Sequence, residues 1–126
     1  MQRPHNREIW KKIADGLEAL HQGRFQIGVS RHLNIDLAEL QISAKDLPQL
    51  LVECLAEIQN AKPHECYIGR RPPLRSIEPE IQNEELWEYA WHSQRFNKRM
   101  YIKFAVKKQC YLHVRCHEDR PPETLL

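Results

Sequence analysis

Met100-Tyr101-Ile102-Lys103-Phe104-Ala105-Val106, followed after a short break by Cys110-Tyr111-Leu112-His113-Val114-Arg115-Cys116-His117, decides the fold of this chain. Both runs alternate with a period of two, the spacing of a β-strand whose side chains point to opposite faces. The connection is short, so the two strands form an antiparallel hairpin. If Ile102, Phe104 and Val106 share a face with Leu112, Val114 and Cys116, the loop holds an odd number of residues, and Lys108 to Cys110 is the simplest choice. That register sets Phe104 opposite Val114, Ile102 opposite Cys116, Lys103 opposite Arg115 and Tyr101 opposite His117.

Upstream, Trp87, Tyr89 and Trp91 alternate with Leu86, Glu88 and Ala90, which adds a third strand and makes a meander over residues 85–118. The aromatic set is expected to face the core. Between residues 61 and 83 the chain is rich in proline (Pro63, Pro72, Pro73, Pro79), and an irregular loop is expected there. Residues 6–60 read as helical. Ile9, Trp10, Ile13, Leu17 and Leu20 fall at helical spacing, with Asn6 available as a cap and Gly23 to end the helix. Leu47, Leu50, Leu51, Cys54, Leu55 and Ile58 form one stripe over Ser43 to Asn60, with Pro48 in the first turn. Around Phe25 to Val29 the chain is short and extended, and Arg31 to Gln41 fits either a short helix or a turn-rich connection. The expectation is one α+β domain over residues 1–126, an antiparallel sheet packed against two or three N-terminal helices.

Nineteen Lys and Arg against seventeen Asp and Glu leave a net charge of +2, which alone names no polyanionic partner. The distribution says more. Arg95, Lys98, Arg99, Lys103, Lys107, Lys108, Arg115 and Arg120 crowd the C-terminal quarter, although a solvated face has the same composition. No stretch is long and apolar enough to span a bilayer, and the polar start Met1 to Trp10 lacks the apolar segment of a signal peptide. A cytoplasmic protein without a membrane partner is expected. Its scattered Cys54, Cys66, Cys110 and Cys116 then read as reduced thiols. Cys110, His113, Cys116 and His117 are the nearest approach to a metal pattern, but positions 110 and 113 of a strand point apart, so neither a metal nor another cofactor is expected.

The face opposite the apolar set carries Tyr101, Lys103, Arg115, His113 and His117. Two cations directly across a strand pair repel unless something negative lies between them, and a phosphate would serve. Cleaving RNA without a metal takes a base for the 2′-hydroxyl, cations for the phosphorane and an acid for the 5′-oxygen. Imidazole is the side-chain group that titrates nearest neutrality, which suits His117 to proton transfer, with His113 sharing the acid role, Lys103 and Arg115 as fixed cations and Tyr101 positioning the phosphate or a base. His92, Arg95 and Arg99 lie on or near a strand connection, where they are candidates to grip an RNA backbone. An ordinary solvated sheet face has the same residue types.

Leu86-Trp87-Glu88, Met100-Tyr101-Ile102-Lys103-Phe104 and Val114-Arg115-Cys116-His117-Glu118 together resemble the C-terminal half of MqsR-family toxins, which are RelE-like ribonucleases. That family's pattern runs from a Trp-Gln pair through a basic stretch to a Val-Tyr-Leu-Lys strand and closes in Ser-Phe-Lys. By position, the resemblance makes Tyr101 the active-site tyrosine and sets Arg75, in Leu74-Arg75-Ser76, near the family's loop lysine. Glu88 and His117 fall where a glutamine and a lysine are found, so a fixed cation is exchanged for a titratable group and an anion joins the site. What the resemblance implies is a RelE-like fold and an endoribonuclease (mRNA interferase) toxin of a type II toxin–antitoxin pair, acting on RNA and neutralised by an antitoxin protein. A non-catalytic nucleic-acid- or ribosome-binding module and a protein-interaction domain are the other expectations compatible with the residues.

Overall fold

The computed structural model describes residues 6–120, so the first five residues of the polar N-terminal stretch lie outside it. Helix α1 (Asn6–His21) leads to a short strand β1 (Phe25–Ile27), then α2 (Leu33–Leu40), α3 (Leu47–Asn60), the single turn α4 (Pro63–Cys66) and the strands β2 (Trp87–Ser93), β3 (Lys98–Lys107) and β4 (Cys110–Glu118). The architecture is α+β, as the periodicities predict. Its sheet is mixed, in the order β1-β4-β3-β2, because β1 joins the antiparallel meander by pairing parallel to β4. No described helix is long and apolar enough to cross a membrane.

All six stripe residues of α3 are buried, against α1 and one face of the sheet. Gly16 marks the crossing of α1 and α3, since a Cβ there would stand 3.0 Å from Leu55 Cδ1. Trp10 departs from the expected stripe: it is 39% exposed, and its indole N–H donates to His64 Nδ1 at 2.9 Å. On the helix-covered face Tyr89, Phe104, Tyr111 and Phe25 stack in succession across all four strands, with centroids 5.9, 4.9 and 6.0 Å apart. Glu57 of α3 then fixes the β2–β3 turn, accepting hydrogen bonds from Trp91 Nε1, Ser93 Oγ and the backbone N–H groups of Gln94 and Arg95 at 2.7–3.1 Å. Burial alone would raise its carboxyl pKa, but these donors hold it below the usual carboxylate value.

The last hairpin corrects the expected loop. Its turn is the two residues Lys108 and Gln109, both at positive φ (51° and 63°), and the odd residue sits instead in a β-bulge. Lys103 pairs with Arg115 and Phe104 with His113, which leaves Val114 as the extra residue of β4. The shorter turn and the bulge offset each other, so Ile102–Cys116, Lys103–Arg115 and Tyr101–His117 pair as expected, while Phe104–Val114 does not. Below the bulge the faces of β4 are exchanged. Tyr111 and His113 turn toward the helices, and Leu112 and Val114 join Val29, Ile81, Leu86 and Ala105 in a second apolar cluster on the opposite face.

Candidate functional site

This second cluster covers only the hairpin end of the outer face. Toward the other end the outer face carries rows of polar residues, fixed by the register: Glu88, Lys103 and Arg115, then Ala90, Tyr101 and His117, then His92 and Arg99. In these rows Lys103, Tyr101 and His117 are partly accessible.

The first row opens into a cavity of about 370 Å³ lined by Lys103, Arg115, Arg75, His32, Leu74 and Ile77. Arg75 is brought there by the segment 74–76, which pairs with residues 84–86 beside β2, and its guanidinium donates to Asn83 O at 2.8 Å. Arg31 and Glu78 form an ion pair of 2.5 Å at the rim. Arg115 is held in place from α2: its guanidinium donates twice, at 3.0 Å, to the buried carboxylate of Asp36, which also accepts the Cys116 N–H at 3.1 Å. One turn further, Glu39 accepts the Glu118 N–H at 2.7 Å. Thus α2 runs beside β4 where β1 has ended, and its two carboxylates take the N–H groups that a neighbouring strand would have taken. Lys103 has neither an ion pair nor a hydrogen-bond partner among the described residues, and it stands between Glu88 and Arg115 in its row.

In the second row the Tyr101 and His117 rings stand 5.0 Å apart, centroid to centroid. The phenol O–H donates to Glu88 Oε1 at 2.6 Å. Burial, reinforced by that bond and by the Glu88 charge, pushes the Tyr101 hydroxyl pKa far up, so it acts as a donor and not as a phenolate. His117 Nδ1 lies 2.7 Å from Glu118 O. A carbonyl only accepts, so Nδ1 carries the proton in this contact and Nε2 is the ring nitrogen it leaves uncommitted.

Comparison with family models, curated proteins and solved structures found no match to this chain. What can be said of the face therefore comes from its own geometry. Lys103, Arg115 and Arg75 converge on the cavity, and Tyr101, Glu88 and His117 adjoin it. His113 does not. It belongs to the buried side, fully enclosed with no hydrogen-bond partner for either ring nitrogen, and burial, with a smaller push from Arg115 against a pull from Asp36, lowers its pKa to about 4. The bulge accounts for this, because counting by twos from His117 skips the extra residue. His92 is exposed at the far end, roughly 13 Å along the strand from the Glu88 row. Arg95 is bound to Glu53 on α3, and Arg99 pairs with Asp119 at 2.8 Å, so neither reaches the cavity. His32, Arg31 and Asp36 were missed by sequence reasoning. Their only signal was a polar pattern in a segment whose structure could not be assigned.

Proposed function

We propose that the outer face of β2, β3 and β4 is the active site of a metal-independent endoribonuclease of the toxin type, acting on RNA in the cytoplasm and held in check by an antitoxin protein. The convergence of Lys103, Arg115 and Arg75 on one cavity beside the Tyr101–His117 pair carries this reading, and the resemblance of residues 70–118 to MqsR toxins agrees with it. A phosphodiester set against Lys103 meets a cation without an ion pair where charge grows in the transition state, with the Asp36-bound guanidinium of Arg115 beside it as a hydrogen-bond donor. Its 2′-oxygen attacks phosphorus, the bond to the 5′-oxygen breaks, and a 2′,3′-cyclic phosphate and a 5′-hydroxyl result. His117 exchanges a proton through Nε2, and Tyr101 donates a hydrogen bond from a ring position that Glu88 fixes.

The test is cleavage of an end-labelled RNA by the pure protein in EDTA. Wild type is expected to cut. Lys103→Ala is expected to lower kcat/KM by about 10²-fold or more, the size of losing one transition-state cation. An intact RNA with wild type, or equal rates for wild type, Lys103→Ala and His117→Ala, refutes the reading. A second reading is a binding module without turnover, favoured by the Asp36 carboxylate, which already matches the charge of Arg115. It predicts salt-sensitive RNA binding by the wild type with no product formed.

A further inference from the structure

Removing His113 from the face leaves the reaction one proton-transfer group short. A displacement at phosphorus needs a group that accepts a proton from the 2′-hydroxyl and another that supplies one to the departing 5′-oxygen, set on either side of the phosphate. His117 is one such group. The other is sought among side chains that line the cavity, titrate, and are not spent on a structural bond. His32 meets all three conditions. It stands immediately before α2 and caps that helix with its backbone alone: its C=O accepts the Asp36 N–H at 3.1 Å, and its imidazole makes no capping hydrogen bond. Among the described residues the ring has no hydrogen-bond partner, and it lines the same cavity as Lys103, Arg115 and Arg75.

Its position relative to His117 follows from the way α2 runs beside β4. Asp36 binds Arg115 and Cys116, and Glu39 binds Glu118 and Arg120, so the helix advances in the direction of the strand. His32 is one turn before Asp36, roughly 6 Å back along the axis. His117 is two residues beyond Arg115 on the same face, roughly 7 Å forward. The backbone positions of His32 and His117 therefore lie on opposite sides of the Lys103–Arg115 row.

We propose that His32 is the second catalytic residue of this site, the base that takes the 2′-hydroxyl proton while His117 protonates the 5′-oxygen. The inference rests on the endoribonuclease reading. The step balances: the proton on O2′ passes to neutral His32, the O2′–P bond forms as the P–O5′ bond breaks, and His117 in its imidazolium form gives its proton to O5′. Water then returns both rings to their starting states. The groups around His32 favour its neutral form: desolvation, then Arg115 of β4 and Arg31 of its own loop lower its pKa, against a smaller opposite pull from Asp36 of α2 and Glu78 of the segment that closes the cavity. Lys103 and Arg75 line the same cavity.

The experiment uses the full chain, a labelled RNA and its all-2′-deoxy analogue, which binds but offers no nucleophile. His32→Ala is expected to lower kcat by about 10²-fold or more, with the Kd for the analogue unchanged within about 2-fold. Imidazole added to the buffer should restore part of the His32→Ala rate and none of the Lys103→Ala rate. The acid limb of the kcat/KM profile should disappear in His32→Ala. His32→Asn, which keeps size and polarity, should be as inactive as His32→Ala. A His32→Ala rate within about 3-fold of wild type overturns the assignment while the nuclease reading stands. Joint loss of cleavage and analogue binding also overturns it, making His32 a binding or structural residue. A wild-type protein that leaves RNA uncut overturns both.

Discussion

His113 is neutral at physiological pH because the protein encloses it, and this makes it a source of acid sensitivity that does not involve the outer face. In the folded state its pKa lies at about 4, against an ordinary value of 6.5. The native protein thus binds fewer protons than the unfolded chain in that interval, and stability rises with pH across it. The contribution is fully present above about 6.5 and is lost as pH falls toward about 4, a difference on the order of 3 kcal/mol. His113→Leu is expected to keep the stability of wild type at pH 7.5 to within about 1 kcal/mol, since it replaces an imidazole with no partner by an apolar group of similar size. At pH 4.5 the variant should be the more stable of the two. Urea unfolding at both pH values checks this, and an identical pH dependence for the two proteins would show that another group governs acid lability.

Among the elements, α2 was the least legible in the sequence, and its eight residues depend on contacts from outside the helix. Asp36 is almost fully buried and ties the helix to β4 through Arg115 and the Cys116 N–H. Removing one partner of a buried pair strands the other, so Asp36→Ala should cost about 3–5 kcal/mol, whereas Asp36→Leu with Arg115→Met should recover much of the loss. Equal unfolding midpoints for Asp36→Ala and wild type would mean that the pair contributes nothing to stability. The contrast with α3 explains what sequence can reveal. Leu47, Leu50, Leu51, Cys54, Leu55 and Ile58 make one uninterrupted apolar stripe, whereas in α2 the buried positions are the acid Asp36 and Leu40, a pair that no hydrophobic periodicity detects. The β4 strand was legible as a strand but not in its parity. Both its faces are apolar near the turn, where Tyr111 packs on Phe104 and Leu112 on the Val29–Ile81 cluster, so alternation alone could not choose between them. The pairs Lys103–Arg115 and Tyr101–His117 were found because the shorter turn and the bulge cancel. His113 was misplaced because it lies between the two irregularities.

At the scale of the whole molecule, the basic C-terminal quarter is much less basic than its sequence. Folding brings acids from distant elements to it: Glu53 to Arg95, Glu84 to Lys107, Asp36 to Arg115 and Glu39 to Arg120, while Glu118 and Asp119 serve Lys98 and Arg99. Of its eight Lys and Arg residues, Lys103 and Lys108 are left without an ion pair among the described residues, and Lys108 stands at the hairpin turn away from the cavity. The other six are not available at full strength. Their carboxylates stay nearby even when an exposed pair opens, so a phosphate that reaches one of them gains little net charge neutralisation. The cavity therefore presents Lys103 and Arg75 as its effective cations, with Arg115 and Arg31 largely matched by Asp36 and Glu78. Each phosphate neutralised on a single strand contributes about −0.7 to the slope of log K against log salt. Two such contacts give a slope of about −1 to −2 for a short all-2′-deoxy oligonucleotide, where eight free cations would give about −5 or steeper. Lys103→Ala should bring the slope closer to zero by about 0.7, whereas Lys98→Ala should leave it nearly unchanged, because Lys98 already faces Glu118. Titration between about 50 and 200 mM salt measures both. A wild-type slope near −5 would mean that nucleic acid displaces the carboxylates and spreads over the whole basic quarter, and would rule out a focused site at Lys103.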